Sequence, residues 1–216
     1  MGEPWNTKLS RIERLELHQL ETFTDLKSEL KEGEKENLSV PHLQEGTHLI
    51  VLQTNHAFIE LEADKFNAYL KEDGLDDVLN YRTKHGLTEK SGKESYARYA
   101  KLLVQVGDKR DATFKKSAGM PIEIFIQKNP YTLNVGELVK FKVMFKNKPL
   151  FGAKVMVWNR FDNRTTIQPV YTLQDGTIEA RISAKGIWMV SVVKMVPAED
   201  KSSDWESYWG SLVFGI

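Results

Sequence analysis

The sequence predicts a mainly β protein: an N-terminal β-rich domain with a short inserted helical pair, followed by an immunoglobulin-like β-sandwich. Three observations carry this. From Ile122 to the end, about seven short strand-like runs recur at near-regular spacing, the rhythm of a sandwich. Between Ala63 and Gly86 the apolar period changes to that of a helix. Between these regions lies Gly107 to Gly119 (GDKRDATFKKSAG), which is polar, charged and bounded by glycine. It reads as a linker, giving domains 1–117 and 118–216 with the helices at about 63–86.

Composition narrows the function classes. The 216 residues carry 30 Lys or Arg against 30 Asp or Glu, so no broad attraction to nucleic acid or an anionic membrane is indicated. Cysteine is absent, which removes disulfides, thiolate metal sites and thiol nucleophiles. No apolar run approaches the roughly 20 residues of a membrane span. The opening MGEPWNTKLSRIERLEL lacks the apolar core of a signal peptide, so the chain is either cytosolic or exported by a signal lying upstream.

In chain order, Arg11 to Leu20 alternates Leu15 and Leu17 with Arg14, Glu16 and His18, as a half-buried strand does. Thr24 to Asn37 is dense in Lys and Glu and reads as a solvated excursion, partly strand. Gly46 to Gln53 is a buried strand, and Ala57 to Leu61 extends it or forms a second. Phe66, Tyr69 and Leu70 then fall at helical spacing, with Gly74 able to supply the left-handed residue that ends the helix. A second helix begins with Asp76 and Asp77 and ends with Lys84 and His85, the order the helix dipole favours. Thr88 to Glu94 reads as a loop. Ser95 to Val106 fits either period, with strand favoured from Lys101 onward.

The C-terminal runs are Ile122–Ile126, Val139–Phe145, Val155–Trp158, Gln168–Leu173, Ile178–Ile182, Ile187–Met195 and Tyr208–Phe214. Asp175-Gly176 reads as a two-residue hairpin between the fourth and fifth. Ile187 to Met195 is apolar on both faces, which places it mid-sheet. The apolar C-terminus is expected to dock in a sheet, with Gly210 as a bulge that lets Trp209, Leu212 and Phe214 all reach the core.

Catalytic motifs are few. There is no G-x-S-x-G turn and no glycine-rich phosphate loop, so acyl transfer, kinase and dinucleotide chemistry are unsupported, and no enzyme is expected. The histidines are His18, His42, His48, His56 and His85. None forms a pair at the two-residue strand or four-residue helix spacing of a ready metal site. His42, His48 and His56 are the candidate metal ligands, meeting only if the chain reverses after Thr54; the competing reading is a core His48 and a loop His56. Trp205 and Tyr208, beside a polar loop, are the candidate exposed platform for a sugar or a partner, against the alternative that they are core.

Five strings carry a resemblance: FIELEADKFNAYLKEDGLDDVL, YARYAKLLVQVGD, NPYTLNVGE, KPLFGAKVMVWNR and GIWMVSVVKMVPAEDKSSDWESYWGSLVFGI. They resemble a bacterial family of exported proteins described as the periplasmic component of cobalt/nickel ABC-type transport systems. The similarity spans nearly the whole chain. It implies a periplasmic or cell-envelope location, nickel or cobalt as a ligand, and a membrane transporter component as partner. Family members open with a signal peptide and a first strand carrying a His near the mature N-terminus. This sequence begins at GEPWN, which resembles the segment after that strand, so a metal site using that His is not expected here.

The expected role is thus a non-enzymatic periplasmic accessory or binding protein, in divalent metal uptake by the resemblance. The alternative is a carbohydrate- or protein-binding envelope module without metal.

Overall fold

The computed structural model describes residues 8–30, 38, 40 and 43–216. The first half builds a meander. Strands β1 (Ile12–Gln19) and β2 (Thr22–Asp25) form a hairpin, and β3 (Gly46–Thr54) lies antiparallel to β1. After β4 (Ala57–Leu61) come the helices α1 (Ala63–Glu72) and α2 (Asp76–Lys84), then the long strand β5 (Gly92–Val106). The start of β5 pairs with β4 and the remainder with β3. The stretch read as a loop therefore already contains strand from Gly92. A Cβ at Gly92 would lie 2.3 Å from the ring of Phe66, so this glycine lets α1 pack onto the strand beneath it.

The second half supplies β6 (Ile122–Ile126), β7 (Leu138–Phe145), β8 (Lys148–Pro149), β9 (Lys154–Phe161), β10 (Arg164–Tyr171), β11 (Thr177–Arg181), β12 (Ile187–Pro197) and β13 (Trp205–Gly215). They form two facing sheets. One runs β11-β7-β6, with β8 beside β7; the other runs β10-β9-β12-β13. The sandwich expected from the strand rhythm is present, with β12 between two neighbours as its two apolar faces require.

Two turn readings are corrected. Asp175-Gly176 does not join paired strands: β10 pairs with β9, and β11 with β7 in the other sheet. The hairpin is instead at Asp162-Asn163, between Phe161 and its partner Arg164. Nor is Gly210 a bulge. The register of β12 against β13 runs unbroken through Val192↔Gly210, so Leu212 and Phe214 face the core while Trp209 faces the other way.

The two sequence halves share one sheet. β13 lies antiparallel to β12 on one side and parallel to β5 on the other, from Trp205↔Glu94 to Val213↔Leu102. This makes a nine-stranded sheet in the order β10-β9-β12-β13-β5-β3-β1-β2, with β4 on β5. The core between the sheets joins Leu49, Val51, Ala97, Tyr99 and Leu103 of the first half to Ile122, Phe141, Trp188 and Phe214 of the second. The segment 107–119 is tied down on both sides. Glu45 accepts from the Asp108 and Lys109 amides, Asp111 from the Thr47 amide, and Glu123 from the Ala118 amide.

The outer face of the large sheet is covered in two places. Leu26, Leu30, Leu38 and Val40 pack over β1 and β3. Phe66, Leu70, Leu75 and Val78 of the helical pair cover Val193, Met195 and Trp205. Buried Arg82 fastens the helices, donating to Asn67 Oδ1 and to the Leu87 and Lys90 carbonyls beneath the Phe66 ring. Between the two covers a strip of sheet stays open.

Candidate functional site

Register alone shapes that strip. Met156, Ser191, Ser211, Ala100 and Leu52 are successive cross-strand partners from β9 to β3. All five face outward, and the middle three are small. Two residues away on one side runs the row Val193, Trp209 and Arg98; two residues away on the other runs Trp158, Met189, Val213, Leu102 and Ile50. A row of small side chains between two rows of large ones is a trough, because alternate residues of every strand stand on the same face.

The trough encloses about 370 Å³. One end is closed by Glu72 and Asp73 at the C-terminus of α1, where Lys154 Nζ donates to the Glu72 carbonyl at 2.7 Å. Gly74 turns the chain there with φ +69°, and a Cβ would meet the Lys154 side chain at 2.6 Å. Burial, with help from neighbouring Glu72, pushes the Asp73 carboxyl up to about 6. On the floor, Trp158 donates its indole N–H to Ser191 Oγ at 3.0 Å. The trough thus offers apolar walls and a hydroxyl-bearing floor.

Trp209 is the wall between this trough and a second pocket. Its indole stacks on Tyr69 at 5.8 Å, and the Arg98 guanidinium lies 5.3 Å from its ring centroid. The second pocket, of about 260 Å³, is lined by Ile59, Leu61, Tyr69, Glu94, Tyr96, Arg98 and Trp209. Glu94 is 3 % exposed. Its Oε1 accepts from Tyr69 Oη at 3.2 Å and from Ser207 Oγ, which itself accepts from Trp209 Nε1 at 3.1 Å. Burial pushes the Glu94 carboxyl up, and the Ser207, Tyr69 and Trp209 donors pull it back.

The residues singled out in the sequence lie elsewhere. His42 falls outside the described residues. His48 sits near the start of β3, buried, donating from Nε2 to the Gln44 carbonyl at 2.7 Å. His56 follows the end of that strand, exposed, 2.9 Å from Glu206 Oε1. The six residue steps from His48 to Thr54 span about 20 Å of strand, so His48 and His56 stand at opposite ends of β3. Among the described residues no group of three or more His, Asp or Glu is arranged to hold a metal ion.

Trp205 and Tyr208 are not an exposed platform. Both belong to β13 rather than to the loop before it, on opposite faces, with exposures of 4 % and 5 %. Trp205 packs under the helices, edge-on to Tyr81. Tyr208 lies between the sheets, stacked on Tyr99 and edge-on to Phe145. The aromatic residues that border the clefts are Trp209, Trp158, Tyr69 and Tyr96, which the sequence reading missed. Their signal is the alternation Met189-Ser191-Val193 beside Trp209-Ser211-Val213, which becomes a trough only once the register is known.

No relay of nucleophile and base is assembled from the described histidines. Their ring nitrogens meet Glu16, the Gln44 carbonyl, Glu206 and the Tyr81 carbonyl, not a hydroxyl. Comparison with known proteins identifies one family, described as Domain of unknown function (DUF4198), whose profile matches residues 3–195. The chain belongs to the DUF4198 family. No curated protein and no solved structure matches it. The DUF4198 match takes in β1 to most of β12, and so includes α1, α2, the trough residues of β3, β5, β9 and β12, and Glu94.

Proposed function

We propose that this DUF4198 protein is a non-enzymatic accessory or binding protein of the bacterial cell envelope, and that the trough is where its ligand lies. The observation that carries the reading is the row Ser191, Ser211 and Ala100 sunk between Trp209 and Arg98 on one side and Trp158 and Met189 on the other. An apolar cleft with a few placed polar groups is the usual form of a small-molecule site. Its length across several strands suits an extended, largely apolar molecule. Stacked sugar is disfavoured at Trp209, whose faces meet Tyr69 and Arg98. The envelope location rests on the resemblance carried by the five strings. The test is titration with anilinonaphthalene sulfonate, followed by fluorescence, on the natural chain and on Ser211→Trp, which fills the floor from the solvent side. Saturable binding lost in the variant supports the trough; equal binding by both refutes it.

A second reading, divalent metal capture in cobalt or nickel uptake, is favoured by the His56–Glu206 pair, an exposed imidazole beside a carboxylate. A transporter component is then the partner. Calorimetric titration with nickel, cobalt and zinc decides it, since binding at this pair must disappear in His56→Ala.

A further inference from the structure

A further cavity, of about 330 Å³, opens where the connection from α2 to β5 meets the loop between β12 and β13. Arg82 stands in its lining with 1 % of its surface exposed. A guanidinium has five N–H donors. Nε gives one to Asn67, and Nη2 gives its two to the Leu87 and Lys90 carbonyls. Nη1 makes no hydrogen bond among the described residues, yet it is not sealed off from solvent. Its two N–H groups are left for the cavity.

The three acceptors that Arg82 does have are neutral, and a buried cation is costly without an anion beside it. Asp204 lines the same cavity, but it is exposed, its Oδ2 accepts from the Lys93 amide at 3.0 Å, and it forms no ion pair with Arg82. Burial lowers the Arg82 pKa, and Asp204 only partly opposes this. Lys90 adds a second cation to the lining, which sets two positive groups against one negative. The remaining walls are largely apolar. Leu87, Pro197 and Trp205 supply them, with Tyr81 edge-on to Trp205 at 5.4 Å. A bare inorganic anion would leave those walls without a partner.

We infer that this cavity binds a small organic acid, its carboxylate on Arg82 Nη1 and its apolar part against Leu87, Pro197 and Trp205. The site is separate from the trough, and the inference holds whatever the trough binds.

The experiment is calorimetric titration of the full chain with acetate, butyrate and benzoate, beside butyramide, benzamide and inorganic phosphate. Butyrate or benzoate is expected to saturate the protein, about tenfold or more tighter than its amide, acetate or phosphate. Two substitutions leave the bonds of Arg82 intact. Asp204→Asn still offers an oxygen to the Lys93 amide but removes the like charge, so the acid should bind more tightly. Lys90→Glu keeps the backbone carbonyl that Arg82 uses but reverses the charge beside it, so the acid should bind more weakly. An unchanged far-ultraviolet circular dichroism spectrum shows that both effects are local. Ser211→Trp, which fills the trough, should bind the acid as the natural chain does. The inference is overturned if no acid saturates, if an amide or phosphate binds equally well, if the changes at Asp204 and Lys90 leave the affinity where it was, or if Ser211→Trp abolishes binding.

Discussion

Trp209 of β13 lies almost parallel to Tyr69 of α1, the ring planes 9° apart and the centroids 5.8 Å apart. The contact does two things. It ties the helical pair to the centre of the large sheet, and it separates the trough from the Glu94 pocket. Replacing Trp209 by Ala is expected to lower stability by roughly 2–3 kcal/mol, less than for a fully buried aromatic because the ring is only partly buried. It should also merge the two clefts. Urea denaturation measures the first effect. The second appears as a loss of preference among ligands, whereas Trp209→Phe keeps the wall and should retain both properties in large part.

The pH dependence of stability should reveal Lys101. Its Nζ is buried with no hydrogen-bond partner among the described residues, 3.8 Å from Glu123 and 3.9 Å from the Phe125 ring centroid. Burial lowers its pKa from 10.5 to about 8, and Glu123 only partly opposes this. Between those values the unfolded chain holds more protons than the folded one, so stability rises as pH climbs from about 8 to 10.5. The full shift corresponds to roughly 3 kcal/mol. Lys101→Met should flatten that rise and stabilise the protein at neutral pH, because Glu123 keeps its donors from Ser117, Ala118 and Met120. Destabilisation by Lys101→Met would show instead that the ion pair is a net support.

Asp73 carries the opposite sign. Its carboxyl is raised to about 6 from 3.8, so between those values the folded chain holds the extra proton, and its contribution to stability is lost as pH rises through that window. Asp73→Asn should remove this part of the acid-side profile and raise stability at neutral pH. Thermal melts in matched buffers across the window check it; a profile unchanged by the substitution would mean that Asp73 is fully hydrated.

Much of this architecture is legible in the sequence, and the exceptions share a cause. Local patterns report what a segment is: the 3.6 period of Phe66, Tyr69 and Leu70, or the two apolar faces of Ile187 to Met195. They do not report what the segment pairs with. Asp175-Gly176 marks a chain reversal, but nothing in it says that the next strand joins the other sheet. The edge strand β10 is largely exposed and lacks alternation, so its first half left no pattern. The trough needs five strands in register before its row of small residues exists, and Glu94, in a polar stretch read as a loop, is buried only because α1 lies over it. The histidines and the Trp205–Tyr208 pair stood out by residue type alone, and type does not fix position.

The last expectation concerns how the halves unfold. A boundary at 117/118 and independent domains would give two transitions, and a fragment from Ala118 onward would melt by itself. The structure puts β13 between β12 and β5, and one core spans both halves. Phe214 is fully buried and lies 6.2 Å from Phe141, centroid to centroid, while Tyr208 of the same strand stacks on Tyr99 of β5. Removing either half would expose a strand edge and half of that core. A single calorimetric transition is therefore expected, with calorimetric and van't Hoff enthalpies equal. Phe214→Ala should cost roughly 3–5 kcal/mol, a large part of the 5–15 kcal/mol available to a typical domain. Because the sheet is shared, probes in both halves must shift to the lower temperature together. Tyr81 and Trp205 fluorescence near the helices and amide exchange of β6 and β7 provide those probes. A shift confined to β6 and β7 would show that the halves unfold separately despite the shared strand.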